Sequence, residues 1–138
     1  MELLVYKASA GSGKTFTLAV EYIKLLILNP RAYRQILAVT FTNKATAEMK
    51  ERILSQLYGI WKGDKDSDAY LKRIIAETGK PVEEVREAAK VALTNMLHDY
   101  SRFRVETIDS FFQSVMRNLA RELALSPNLN IEQHNPDV

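Results

Sequence analysis

The chain has 138 residues, a length that suits one domain with its own core. Lysine and arginine number 19 against 17 acidic residues, so the net charge of +2 gives no global sign of nucleic-acid binding, and any basic surface must be local. The absence of cysteine excludes disulfides, thiolate metal sites and cysteine nucleophiles, and it is compatible with a reducing, cytoplasmic compartment. The sequence contains no apolar run near the ~20 residues that a membrane-spanning helix needs.

The first half of the chain predicts two strand–helix units. Residues 2–7 are expected to form a short buried strand, and residues 14–28 an apolar helix that Asn29-Pro30 ends. Residues 35–40, Q-I-L-A-V-T, lack polar alternation, which is typical of a parallel strand covered on both faces. Asn43 is expected to cap a second helix that extends to about residue 58.

The second half of the chain is mainly helical. After a polar loop, helices are expected at residues 68–77 and from Pro81 to about Tyr100, and this helical stretch could pad the domain or contact a partner subunit. Residues 103–107 read as a third strand, and Asp109 is expected to cap a last helix. That helix is expected to bury an apolar stripe: Phe112, Val115, Met116, Leu119 and Leu123. The alternating order predicts an α/β fold with a short parallel sheet flanked by helices.

A glycine-rich turn, A-S-A-G-S-G-K-T, follows the first strand at residues 8–15. Its backbone N–H groups and the helix that follows would hold phosphate oxygens. Lys14 would neutralise the β- and γ-phosphates, and the Thr15 hydroxyl would ligate Mg²⁺, so the turn predicts ATP and Mg²⁺ as cofactors. Phe16 either borders the adenine or packs in the core. The predicted nucleotide-binding residues are Ala10, Gly11, Ser12, Gly13, Lys14, Thr15 and Phe16.

A second block, T-F-T-N-K-A, follows the second strand at residues 40–45, where α/β folds bind ligands. Phe41 could stack on a base, while Thr42, Asn43 and Lys44 could reach phosphates or sugars of single-stranded nucleic acid. The alternative is an ordinary capped helix with a buried Phe41 and a solvated Lys44.

Three blocks together resemble a known family. The turn at residues 8–15, A-V-T-F-T-N-K-A-T-A-E-M-K-E-R-I at 38–53 and V-E-T-I-D-S-F-F-Q-S-V-M-R at 105–117 resemble motifs I, Ia and Ib of superfamily 1 DNA helicases of the UvrD/RecB/AddA type. The resemblance implies a partial P-loop NTPase (RecA-like) motor domain over residues 1–125, with a helical insertion at about 60–100 and a polar tail or linker at 126–138. It also implies DNA contacts by Thr107 and Ser110. Asp109 departs from the family, which usually has histidine there, and so is expected to cap its helix instead of meeting phosphate.

The family's D-E-x-Q-D block, which supplies a Mg²⁺-binding carboxylate and a catalytic glutamate, does not occur in the 138 residues. The resemblance therefore implies the N-terminal ATP-binding part of a longer helicase that moves 3′ to 5′ on single-stranded DNA in recombination or repair, with a possible nuclease subunit or domain. By itself such a part would be catalytically incomplete. An incomplete sheet would also leave an open edge for self-association. The alternatives are a small P-loop phosphotransferase and a non-enzymatic nucleotide-binding adaptor.

Overall fold

The computed structural model describes residues 2–5 and 13–125, with side chains from Thr15 to Leu125. The predicted nucleotide-binding residues Ala10, Gly11 and Ser12 and the predicted tail at 126–138 lie outside the described residues. The helices and strands are β1 (Glu2–Val5), α1 (Gly13–Leu28), β2 (Ile36–Thr40), α2 (Asn43–Lys62), α3 (Asp68–Thr78), α4 (Val82–His98), β3 (Val105–Thr107) and α5 (Ile108–Leu125).

The described strands form a three-stranded parallel sheet in the order β1-β2-β3. Val5 pairs with Val39 and Thr40 pairs with Thr107, so the three strands end nearly level. All five residues of the central strand β2 are buried, which explains its unbroken apolar sequence. The prediction of a short parallel sheet combined with helices is confirmed.

Helix α1 is the centre of the core. Its fully buried side chains point to more than one side of the helix, because the helix packs against α2, α3 and α4. They are Leu18, Ala19, Val20, Tyr22, Ile23 and Leu26. Among the residues that the structure describes, the hydroxyl of Tyr22 finds no hydrogen-bond partner, and burial raises the pKa of this phenol above its ordinary value.

The helices of the 60–100 segment belong to the same core. Ile74 of α3 and Val85, Ala89 and Met96 of α4 are buried, and all four join the core cluster. Helix α2 extends to Lys62, four residues beyond the expected end. Of the helices in the described part of the chain, none has both the length and the apolar character needed to cross a membrane.

Helix α5 differs from the predicted last helix in two ways. It begins at Ile108, so Asp109 lies inside its first turn and is not the N-cap; a carboxylate in this turn is still favoured by the helix dipole. The predicted burial of its apolar stripe is wrong, because none of its residues is buried and Phe112 is 60% exposed. Nearly all of α5 belongs to a separate unit, Asp109–Val138, and a single helix cannot bury its own stripe.

Candidate nucleotide and nucleic-acid site

The two sequence blocks lie at the same edge of the sheet. Because β1 and β2 are parallel and in register up to Val5 and Val39, their carboxyl ends meet at one edge. The chain passes from the end of β1 to the N-terminus of α1 at Gly13, and from the end of β2 to residues 41–44. The fold thus places the start of α1 and the second block where open α/β sheets bind ligands.

The start of α1 is suited to an anion. Gly13 and Lys14 are its first two residues, and its first turn contains no acidic residue. No carboxylate of that turn therefore competes with a bound anion for the positive end of the helix dipole. Thr15 and Phe16 are partly buried. Phe16 packs against the core, with its ring centroid 4.6 Å from that of Tyr70. Core packing therefore describes Phe16 in this structure, and its contact with adenine stays a prediction.

The second block forms an exposed rim, which we define as Phe41, Thr42, Asn43 and Lys44. Phe41 is 49% exposed, so the alternative is wrong about the burial of Phe41, although the capped helix and the exposed Lys44 that it expected are both present. The rim presents an aromatic face, a hydroxyl, an amide and an ammonium group within one turn of chain. These are the group types that bind bases and phosphates of single strands. Their contact with DNA stays a prediction.

Thr42, not Asn43, caps helix α2. Its Oγ1 accepts a hydrogen bond of 3.0 Å from the backbone N–H of Ala45, and its extended backbone (φ −133°, ψ 158°) is typical of an N-cap. Asn43 is already the first helical residue. In this bond the capping oxygen only accepts, so the hydroxyl hydrogen of Thr42 remains able to donate to a phosphate oxygen.

Thr40, at the buried end of β2, contacts the rim through its hydroxyl group. This residue was not among the site residues predicted from the sequence. It is 1% exposed, and its Oγ1 lies 2.7 Å from Oγ1 of Thr46 and 3.3 Å from the carbonyl oxygen of Thr42. The same oxygen is 3.5 Å from the carbonyl oxygen of Glu106 on β3. One buried hydroxyl thus contacts the first turn of α2, the rim and the neighbouring strand. A threonine that ends an apolar strand run is the sequence signal that could have found it.

The third block, residues 105–117, is divided between the two units of the structure. Thr107 ends β3, is partly buried and pairs in register with Thr40, which places it beside the rim at the strand ends. Ser110 is exposed in the first turn of α5 and belongs to the second unit. The assignment of both residues to DNA stays a prediction.

Comparisons with known proteins agree on one family. The model described as UvrD/REP helicase N-terminal domain matches residues 2–136. An ATP-dependent helicase/nuclease subunit of Streptococcus sanguinis (strain SK36) is 33% identical over 131 residues, which are 94% of this chain and 9% of that protein. RecBCD enzyme subunit RecB of Buchnera aphidicola is 33% identical over 122 residues, 80% of this chain and 10% of that protein.

A shorter match is to ATP-dependent DNA helicase UvrD1 of Mycobacterium leprae, 52% identical over 50 residues, 36% of this chain and 6% of that protein. No solved structure is a significant match. The chain spans about a tenth or less of the length of these curated relatives. The family match over residues 2–136 and the 33% identity across 94% of the chain place this protein in the UvrD/REP helicase N-terminal domain family.

Proposed function

We propose that this chain is the N-terminal ATP-binding part of a DNA helicase or translocase that couples ATP hydrolysis to 3′–5′ movement on single-stranded DNA in recombination or repair. The observation that carries the proposal is the single sheet edge shared by the start of α1 and the exposed rim. A nucleotide at one and a DNA strand at the other would lie on elements of one core. The names of the relatives, which include helicase/nuclease subunits, support a nuclease subunit or domain as a partner in the whole protein.

The start of α1 would hold the nucleotide. The backbone N–H groups at Gly13 and before it would donate to phosphate oxygens, and the Lys14 ammonium would neutralise the β- and γ-phosphates. The Thr15 hydroxyl is a hard oxygen ligand of the kind that Mg²⁺ prefers, and it stands in a first turn free of acidic residues. Bound Mg²⁺ would supply charge neutralisation between the phosphates.

The exposed rim would hold the DNA strand. Half of the Phe41 surface is open to solvent, so its ring can stack on a base without unfolding the helix. Thr42, Asn43 and Lys44 would contact the sugar–phosphate backbone and so bind without regard to sequence. Thr107 would extend this surface along the strand ends, and Ser110 is proposed as a separate DNA contact on the second unit.

Binding assays on this chain test the proposal. Fluorescent ATP with Mg²⁺ and a fluorescent oligo-dT are titrated into the wild type, Lys14→Ala, Lys44→Ala and the matched control Lys72→Ala. Lys72 is exposed on α3, outside both predicted sites. Lys14→Ala should abolish nucleotide binding. Lys44→Ala should weaken oligo-dT binding and lower its salt slope by about 0.7, the value for one lost phosphate contact on a single strand.

Turnover distinguishes the alternatives. Because the sequence lacks the D-E-x-Q-D block, the chain should hydrolyse little ATP even with oligo-dT present. Rapid turnover without DNA, or phosphate transfer to a small acceptor, would support a phosphotransferase instead. Nucleotide binding with no oligo-dT binding at any salt concentration would support an adaptor. The direction of movement is measured on the longer protein that the proposal implies, with substrates that carry either a 3′ or a 5′ single-stranded end.

A further inference from the structure

Tyr70 connects the two helices that begin at the candidate site. It lies on α3, in the segment between α2 and α4, and is 5% exposed. Its ring packs on that of Phe16, whose position in α1 directly follows Thr15, with 4.6 Å between centroids and 57° between planes. Its hydroxyl accepts a hydrogen bond of 3.1 Å from Nη1 of Arg52 on α2. One side chain therefore contacts the first turn of the nucleotide helix and the helix that carries the rim.

A second contact keeps α3 alongside α1. The Lys24 ammonium lies 3.1 Å from Oε1 of Glu77 and 3.0 Å from Oε1 of Glu21. Phe16 and Lys24 are two turns apart on α1, and their partners are two turns apart on α3, so the two helices run in the same direction. Sliding or tilting α1 relative to α3 would break one of these contacts, and Tyr70 would transmit such a movement to Arg52.

We propose that Tyr70 is a positioning residue that couples nucleotide binding at the start of α1 to DNA binding at the rim, an inference that rests on the proposed function. A nucleotide that fixes the first turn of α1 also fixes Phe16 and the ring packed on it. The Tyr70 hydroxyl then holds Arg52, ten residues into the helix that Thr42 caps. Because linkage is reciprocal, a DNA strand on the rim must favour the same arrangement and change nucleotide affinity by the same factor.

Removal of the hydroxyl alone tests this coupling. Tyr70→Phe keeps the ring contact with Phe16 and loses the acceptor for Arg52. Tyr58→Phe is the matched control, because Tyr58 is a tyrosine of α2 with a 51% exposed side chain. Phe16→Leu tests the other end of the connection. For each protein the ATP–Mg²⁺ Kd is measured without and with saturating oligo-dT, and the ratio of the two is the linkage factor.

The wild type and Tyr58→Phe should show the same linkage factor, at least about fivefold. Tyr70→Phe should bring the factor to within about twofold of 1, with each separate Kd and the Tm close to wild type. Phe16→Leu should also lower the factor, together with a lower Tm because Phe16 packs against the core. A purely structural role would lower the Tm and weaken both ligands without changing the factor.

Three results would overturn the coupling role: an unchanged factor in Tyr70→Phe, an equal loss in Tyr58→Phe, or a wild-type factor of 1 although both ligands bind. Failure of the wild type to bind nucleotide or oligo-dT is a different result. It would overturn the proposed function itself, and this inference with it.

Discussion

The approach of two helical segments at Gly59 is so close that a methyl group added there should be destabilising. Gly59 lies near the end of α2 and faces Ser67, the residue before α3, which is 3% exposed. A Cβ on Gly59 would lie 1.9 Å from Oγ and 3.0 Å from Cβ of Ser67. The Gly59 carbonyl also accepts a 2.8 Å hydrogen bond from the N–H of Asp64. This contact joins the end of α2 to the turn that leads into α3, the helix that carries Tyr70.

Two opposing effects decide the sign for Gly59→Ala. In an unhindered helix the change stabilises by about 1 kcal/mol, because alanine loses less backbone entropy on folding. Overpacking at a buried contact costs about 1–3 kcal/mol. Rotation of the Ser67 side chain can relieve the 1.9 Å overlap with Oγ, but the 3.0 Å approach of Cβ can be relieved only by moving the backbone. We therefore expect a net loss of about 1 kcal/mol in the free energy of unfolding.

Urea unfolding of Gly59→Ala, Ser67→Ala and the double variant measures the effect. Ser67→Ala removes Oγ but keeps the Cβ that only a backbone movement can clear, so most of the cost of the alanine at position 59 should remain in that background, and any non-additivity measures the part due to Oγ. If Gly59→Ala raised the free energy of unfolding by about 1 kcal/mol, as at an open helix site, the close approach would be refuted.

Three further changes have expected outcomes. Thr40→Val keeps the shape but removes the buried hydroxyl 2.7 Å from Oγ1 of Thr46; it should cost about 1–2 kcal/mol in urea unfolding and weaken oligo-dT binding, and unchanged values of both would contradict the anchoring role. The hydrogen bond from Arg73 lowers the pKa of the Glu77 carboxyl in the folded protein. The stabilisation by ionised Glu77 is therefore complete above the pKa that this residue has in the unfolded chain, and it is lost as the pH falls through the pKa in the folded protein. Glu77→Gln should therefore make the fall in Tm with decreasing pH less steep just below pH 4.5, the ordinary glutamate value. Plots of Tm against pH with the same slope for the variant and the wild type would contradict this. Gly79→Ala places a side chain at φ +72° with no atom of the described residues within 4 Å, so it should cost about 1 kcal/mol in urea unfolding from backbone strain alone, and no loss would contradict that reasoning.

Elements governed by local chemistry were predictable from the sequence. The unbroken apolar sequence of β2 predicted a buried parallel strand, and all five of its residues are buried. The helix predicted at residues 68–77 is present as α3, and Gly79 caps it in the left-handed conformation that glycine adopts most readily. The apolar helix predicted at residues 14–28 is present as α1, and three helices pack against it. In each case the deciding signal lies within a few residues of sequence.

Features governed by tertiary contacts were not predictable. Thr42 and Asn43 are both good N-caps, and only the hydrogen bond to Ala45 distinguishes them. The stripe of α5 shows which face of the helix is apolar, but not whether another part of this chain covers it. The contact of Tyr70 with Phe16 joins residues 54 positions apart, and no local pattern in either segment indicates it. No local pattern indicates the contact of the Thr40 hydroxyl with the carbonyl oxygen of Glu106 either.

The 60–100 segment therefore differs from a surface insertion that could be removed without loss of the core. Helix α1 packs against α3 and α4 as well as α2, and its side chains Leu18, Tyr22, Ile23 and Leu26 are fully buried within this group of helices. Without α3 and α4, much of this surface would meet water at a cost of about 25 cal/mol for each Å² of apolar area. The helix that begins at the candidate nucleotide site would then lose its support, and so would the rim that shares its sheet edge. The segment whose sequence carries no recognisable motif thus packs against both the helix that begins at Gly13 and the helix that follows the rim.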